Sequence, residues 1–406
     1  MRVLFLNATG FIGGAERQLL HMMASLKRCD PDIDGHLITL GDGDLVREGR
    51  GIGWTVHPVL LPERLAQMGD SSLRDGGKFV RTIALLVRAA GAMPDAAGHL
   101  IELRRTIRAI NPDVIHSNGI KTHLLGSLVF PKGIPVVWHL HDYYSLRPLA
   151  ARLLKLAKRG IAAAVAISES VRRDSETILK GVRIPVILNG VDVERCSPGT
   201  VDAGKLDALA GIDSAKPGTI RVGLVATFAR WKGQDVFLEA AQLVMKLTTR
   251  PVRFYIVGGA IYHTANQFSL DELKDAAVRA GIQNDVAFVP FQNDVAEVYR
   301  ALDCVIHAST LPEPFGLTIV EAMACGRAVV VSNAGGAGEI VSEGHDALGT
   351  PPGDADALAQ AIARLVEDAE LRTLLGRNAR ATVLSRFDAN RLGGQLLDVY
   401  RSVMTS

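Results

Sequence analysis

Two carboxylates stand eight positions apart, Glu313 and Glu321, in the stretch EPFGLTIVEAMACG. Glu313 falls in a loop after the strand-like run CVIHAS (304–309), and Glu321 lies on an apolar pattern that predicts a helix from Leu317 to Cys325. Phe315 to Thr318, with Gly316 at the centre, form the entry to that helix, where N–H groups lacking intrahelical acceptors favour a phosphate. Earlier in the chain, ARWKGQD (229–235) sets Arg230 and Lys232 just beyond another strand-like run, IRVGLVAT (220–227). Cations there would lie at the carboxyl end of a strand, the usual ligand edge of an open α/β sheet. Such a set answers the needs of a nucleotide sugar. Carboxylates can hold its hydroxyls, and cations and amides can hold its diphosphate.

The segment LFLNATGFIGGAERQLL (4–20) offers a second phosphate loop, with Gly10, Gly13 and Gly14 between a strand and an amphipathic helix. Small residues there let backbone amides approach a phosphate, whether of a dinucleotide or of a nucleotide sugar. A dinucleotide site also expects an acid after the second strand, and Asp42 is available after GHLITL (35–40). Asn7, however, occupies the place of the first glycine in the short-chain dehydrogenase pattern. No tyrosine has a lysine at the fourth position after it, so that family's proton-transfer pair is missing. The dehydrogenase reading survives as a hint of fold and fails as chemistry. Asp42-Gly43-Asp44 is formally a DxD, but it is far in sequence from Glu313 and Lys232. His139 and His141 share one strand face without a third ligand, so no metal is expected.

Short β-branched runs alternating with helical patterns must position these residues. In the first half the runs are VLFL (3–6), GHLITL (35–40), TVHPV (55–59), DVIHS (113–117), PVVWHL (135–140), AAVAIS (163–168) and PVILN (185–189). In the second they are IRVGLVAT, RFYIVG (253–258), VAFVP (286–290), CVIHAS and AVVVS (328–332). Continuous apolar runs of this kind indicate parallel strands covered on both faces. The Gly-, Pro- and Ser-rich stretch 196–219 reads as a linker between an N-terminal domain, 1–195, and a C-terminal one, 220–387. The expected fold is α/β, with two Rossmann-like domains facing each other across a cleft.

Hydrophobic residues make up 48% of the 406 and charged residues 22%, which excludes a disordered chain. Cys29, Cys196, Cys304 and Cys325 are scattered, with no CxxC, as suits a reducing compartment. Met1 runs directly into a strand, so no leader peptide is expected. The most apolar stretches, such as IAAAVAI (161–167), are far shorter than the roughly 20 residues of a membrane span. A cytoplasmic protein is expected. Residues 1–195 hold 26 Lys and Arg against 19 Asp and Glu, and the remainder 19 against 24. A basic first half suits an anionic membrane or an acidic acceptor.

EPFGLTIVEAMACGRAVV resembles the Glu-x7-Glu region of the retaining two-domain glycosyltransferases of family 4, the GT-B fold. GGAE (13–16), HD (141–142), NGVD (189–192) and WKGQD follow in that family's order, and SRFDANRLGGQLLDVYRSV (385–403) extends the likeness to the end. The resemblance implies that Glu321 holds the ribose hydroxyls, that Glu313 contacts the donor sugar, and that Phe315, Gly316, Leu317 and Thr318 cradle the diphosphate. It also implies that Gly13 and Gly14 reach the donor from the first domain, that His141 lies beside the reacting sugar, and that a final helix, about 388–406, crosses back to the N-terminal domain. Asn189 and Asp192 read as turn residues. One position departs from the pattern. Family members carry an arginine five residues before the lysine, where this chain has Thr227, and Arg230 stands as its replacement.

The expected activity is transfer of a sugar from a UDP- or GDP-sugar to a hydroxyl acceptor (a glycan, a lipid-linked sugar or a small molecule) with retention and without a cofactor. Cell-surface polysaccharide, lipopolysaccharide or glycolipid synthesis is the expected setting, with peripheral contact to an anionic membrane and no nucleic-acid partner. The alternatives are a sugar-nucleotide epimerase on the same fold and a non-catalytic nucleotide-sugar-binding subunit.

Overall fold

The computed structural model describes residues 1–62, 95–202, 204–260 and 266–405. The chain divides into two compact units, Met1–Leu188 with Asn390–Ser406, and Asn189–Ala389.

The first unit is built on a six-stranded parallel sheet of order β3-β2-β1-β4-β5-β6: β1 Arg2–Asn7, β2 Asp34–Thr39, β3 Thr55–Pro58, β4 Val114–Asn118, β5 Val136–Leu140 and β6 Ala163–Ala166. Its central strand runs through the core, with Val3, Leu4, Phe5 and Leu6 fully buried. That is why these strands read as unbroken apolar runs and not as alternating ones. Helices Gly14–Cys29, Asp44–Gly51, 95–110, Ile120–Val129 and Pro148–Ala157 connect and cover them. The helix Leu392–Met404 returns to this unit and lies against Gly14–Cys29. Ser25 Oγ donates to the Asn390 carbonyl (2.7 Å) and accepts from the Gly393 N–H (2.7 Å). Tyr400 on the same helix reaches His116 Nδ1 on β4 at 2.7 Å.

The second unit repeats the plan in the order β12-β11-β10-β7-β8-β9, again all parallel: β7 Ile220–Val225, β8 Val252–Gly258, β9 Val286–Pro290, β10 Cys304–His307, β11 Ala328–Ser332 and β12 Leu348–Thr350. Phe237 and Phe254 meet edge to face within its core. In both sheets the strand order reverses beside the first strand, between β1 and β4 and between β7 and β10. Such a switch point opens a crevice at the carboxyl ends of the two strands.

Two sequence expectations change. PVILN is not a strand. Val186 forms only an isolated bridge to Ala166, since Pro185 has no N–H for a ladder and Asn189-Gly190 turns the chain away. The stretch 196–219 lies inside the second unit and holds the short helix Lys205–Ala210. Asp207 on that helix is fully buried and accepts from Arg253 (2.9 Å) and Tyr255 (2.7 Å), which fastens the segment to β8.

Candidate donor-binding site

In the second unit the sequence candidates converge on the switch point. β7 ends at Val225, and the chain turns through Arg230–Lys232 before the helix Gln234–Leu247. Gly233 makes that turn possible. Its φ is +74°, and a Cβ there would lie 2.0 Å from the Ala308 carbonyl oxygen, so any side chain would push the lysine loop off β10. Lys232 is thereby held against Glu313, Nζ to Oε1 2.6 Å, with its ammonium 4.1 Å from the Trp231 ring centroid.

Glu313 is 8% exposed. Its second oxygen, Oε2, accepts from His307 Nε2 at 2.6 Å and from Ser309 Oγ at 2.9 Å. Burial alone would raise this carboxyl's pKa. The charges of Lys232 and His307, and the hydrogen bonds they donate, outweigh burial and hold it well below the usual carboxylate range. The Glu313 backbone is fixed too, because its carbonyl accepts from the Gly336 N–H (2.7 Å). The result is a preformed anion, three side-chain donors deep, at the carboxyl end of β10.

From Glu313 the chain enters the helix Leu317–Ala324 through Gly316, at φ +121°. Phe315 is buried and packs edge to face on Phe387, so only its backbone can serve a ligand. Leu317 and Thr318 begin the helix, and their N–H groups have no acceptor within it. Glu321, one turn on, is half-buried and accepts from the Tyr299 hydroxyl at 3.0 Å.

The cation expected to accompany Lys232 is placed differently. Arg230 Nη2 lies 2.6 Å from Glu272 on the helix Leu270–Arg279, and the guanidinium stands 4.3 Å from the Phe268 ring centroid. Thr227 is half-buried, and its carbonyl accepts from Gln234 Nε2 at 2.7 Å.

In the first unit the loop after β1 is organised by Glu16. Its carboxylate accepts from the Gly13 N–H (3.1 Å), Thr9 Oγ1 (3.3 Å) and Asn7 Nδ2 (3.4 Å), and Gly14 opens the helix. Asn7 Oδ1 accepts from Asn118 Nδ2 at 2.8 Å, and Asn118 Oδ1 meets His141 Nε2 at 2.6 Å. An amide oxygen only accepts, so His141 carries a proton on Nε2. Its ring stacks on His139, whose Nδ1 faces His116 Nε2 at 3.0 Å. Burial holds His141 down to about 4 and His116 down to about 3, with the charge of neighbouring His141 adding to the second shift. At neutral pH both are uncharged. Asp42 accepts from the adjacent Gly43 N–H (2.8 Å), Asp44 pairs with Arg47 (2.8 Å), and Asp192 caps the N–H groups of Glu194 and Arg195.

Sequence reading missed His307, Ser309, Tyr299, Asn7 and Asn118. The polar residues ending CVIHAS and VIHSN were the available signal, since a buried polar side chain at a strand's carboxyl end needs a partner.

Two sheets of Rossmann order, one carrying a buried carboxylate–lysine pair beside a helix entry, define the GT-B class. Residues 12–195 match the family model Glycosyltransferase Family 4, and residues 213–382 match Glycosyl transferases group 1. The chain belongs to this family of glycosyltransferases. The Anabaena protein Alr3699/HepE, solved in complex with UDP and with UDP-glucose, is 26% identical, with a TM-score of 0.79 over 99% of this chain and all of that one. A Rickettsia africae glycosyltransferase, 21% identical with a TM-score of 0.74, shares the fold over 99% of this chain and 98% of its own. Among curated proteins, the D-inositol 3-phosphate glycosyltransferase of Saccharomonospora viridis is 32% identical over 53% of this chain and 49% of its own length. The lipopolysaccharide core biosynthesis mannosyltransferase LpsB of Rhizobium meliloti is 30% identical over 54% of this chain and 61% of its own. The match thus spans about half to three fifths of these curated relatives.

Proposed function

We propose that this protein transfers a hexose from a UDP-sugar to a hydroxyl acceptor, with retention of anomeric configuration and without a metal. The observation that carries the reading is the buried Glu313 carboxylate, held by Lys232, His307 and Ser309 at the switch point of the second sheet. The binding of UDP and UDP-glucose by the Anabaena protein supports the choice of base.

In this reading the donor diphosphate lies on the amides from Gly316 to Thr318, and Glu321 takes the ribose hydroxyls. Lys232 turns from Glu313 to the phosphate as the donor binds, and Glu313 takes up sugar hydroxyls. The acceptor hydroxyl attacks the anomeric carbon on the face the phosphate leaves. Its O–H bond breaks as the new C–O bond forms, the sugar–phosphate bond breaks, and the proton passes to the departing phosphate oxygen. Lys232, the helix entry and Arg230 meet the negative charge that builds there, which is the role a metal would otherwise fill. His141, neutral and steered by Asn118, lines the acceptor side.

The acceptor fits a lipid-linked sugar at an anionic membrane surface. Among the described residues no helix is long and apolar enough to cross a bilayer. The helix Pro148–Ala157 nevertheless leaves Leu149 (65%), Leu153 (42%) and Leu156 (70%) exposed along one stripe, next to Arg152, Lys155 and Arg159.

A thermal-shift panel of UDP-, GDP- and ADP-sugars, followed by turnover assays in EDTA, tests the proposal. Stabilisation by UDP-sugars and transfer that persists in EDTA are expected. UDP-sugar interconversion without an acceptor would make the protein an epimerase, and binding without turnover a sensor. Loss of activity in EDTA, restored by a divalent ion, would overturn metal independence.

A further inference from the structure

We propose that a cavity on the second unit, lined by Arg327, Arg372, Arg377 and Arg380, is a second binding site, for a small phosphate-bearing anion. The inference stands independently of the transfer reaction.

The cavity measures about 530 Å³, within the range of small-molecule sites. Its floor is the turn Cys325–Gly326 that ends the helix bearing Glu321. The long helix Ala369–Arg386 forms a wall and approaches closely at Gly376, where a Cβ would sit 2.2 Å from the Gly326 carbonyl oxygen.

Three of the arginines are fixed by backbone carbonyls. Arg380 donates to Val193 (2.9 Å), Cys196 (2.8 Å) and Ala324 (2.9 Å). Arg327 donates to Leu302 (3.1 Å) and Cys325 (3.3 Å), and Arg372 donates to Leu365 and to Val366 (2.9 Å). Arg377 is exposed and makes no such bond among the described residues. None of the four pairs with a carboxylate among the described residues. A guanidinium has five N–H donors, so each keeps some uncommitted.

Capping explains part of the arrangement, since Arg372, Arg380 and Arg327 satisfy carbonyls at three helix ends, those of Ala355–Glu367, Leu317–Ala324 and Val295–Ala301. It does not account for the charge. Each helix end contributes roughly half a negative charge, and Asp303 is the single acid on the lining. Against four guanidiniums the balance stays at about +1.5 by that reckoning, still enough to match one phosphate monoester. The acids at the head of the wall helix, Asp368 and Glu370, are not on the lining, and Asp368 is occupied as the cap of Leu371 N–H (2.8 Å). Planar forks anchored at one edge match phosphate oxygens in pairs and lose little freedom on binding.

The test is calorimetric titration of the full chain with inorganic pyrophosphate. Pyrophosphate is expected to bind wild type, and this binding should weaken at least about tenfold in Arg377→Glu. It should survive in Lys232→Ala, which alters the other phosphate site. Arg372→Gln should weaken it too. That substitution also strips the helix-end carbonyls of Leu365 and Val366, so Arg377→Glu decides the matter if Arg372→Gln fails to fold. No binding to wild type, affinity within about twofold of wild type in Arg377→Glu, or complete loss in Lys232→Ala would overturn the assignment.

Discussion

Lys232 and Glu313 form an ion pair of 2.6 Å with side chains 15% and 10% exposed, 81 positions apart in the chain. Removing one partner of a buried pair leaves the other charge stranded, which costs about 3 kcal/mol. Lys232→Ala is therefore expected to lower unfolding stability by about that amount, and Lys232→Ala with Glu313→Gln to recover a good part of it. Urea unfolding of the single and double variants measures both. Equal loss in the two would mean that Glu313 does not depend on Lys232.

Glu321→Ala is expected to weaken binding of free UDP by about 1–3 kcal/mol, the worth of a charged hydrogen-bond acceptor. Tyr299→Phe removes the hydroxyl that holds Glu321 (3.0 Å) and should weaken UDP binding less. Calorimetry with UDP distinguishes this from a purely structural role, in which nucleotide affinity would stay at the wild-type value.

Arg230 is committed to Glu272 in the structure, so its service to a diphosphate requires release from that pair. Arg230→Ala should then lower kcat more than it raises the donor KM, and adding Thr227→Arg should restore part of the rate. If kcat of Arg230→Ala stays within about twofold of wild type, under roughly 0.5 kcal/mol of barrier, Lys232 and the helix entry act without it.

Stability should fall on acidification. His116 is fully buried with a folded pKa near 3, below the 6.5 of an unfolded histidine. Between those values the unfolded chain binds the extra proton, so its stabilisation is complete above pH 6.5 and declines as pH falls toward 3. From pH 7 to pH 5 this group alone costs about 2 kcal/mol. His141, half-buried with a folded pKa near 4, adds a smaller share of the same sign. Urea midpoints at the two pH values, in wild type and in His116→Gln, give the comparison, with a flatter profile expected in the variant.

Co-sedimentation with anionic vesicles should be lost on charge reversal at Arg152, Lys155 and Arg159, or on Leu149→Ser with Leu156→Ser, and should weaken with salt. Binding that ignores all of these changes would place membrane contact elsewhere.

Most strands and the helix bearing Glu321 were legible because parallel strands and buried helices leave unbroken apolar runs, and because glycine at 316 marks a helix entry. β12 was missed, since Leu348–Thr350 is three residues long and carries little pattern. The partners of the site were less legible for a different reason. His307 reaches Glu313 across a loop, and Asn118 reaches Asn7 across 111 positions, contacts that only strand order creates. Asn7 shows this best. In sequence it stood where a dinucleotide loop would have its first glycine, and in the fold it anchors the chain of amides that ends at His141. Arg230 could be assigned to the right turn, but its partner Glu272 belongs to a separate helix.

The first unit draws its closing helix from Asn390–Ser406, after about 200 residues of the second unit have intervened. During synthesis at about 5–20 residues per second, His116 and the face of Gly14–Cys29 therefore wait roughly 10–40 s for Tyr400 and Gly393 to emerge. In that interval the face of Gly14–Cys29 that the final helix covers stays open, with Ser25 and His116 lacking the partners it brings, while the second unit is made as one uninterrupted segment. Expression of residues 1–188 alone would hold the protein permanently at that stage.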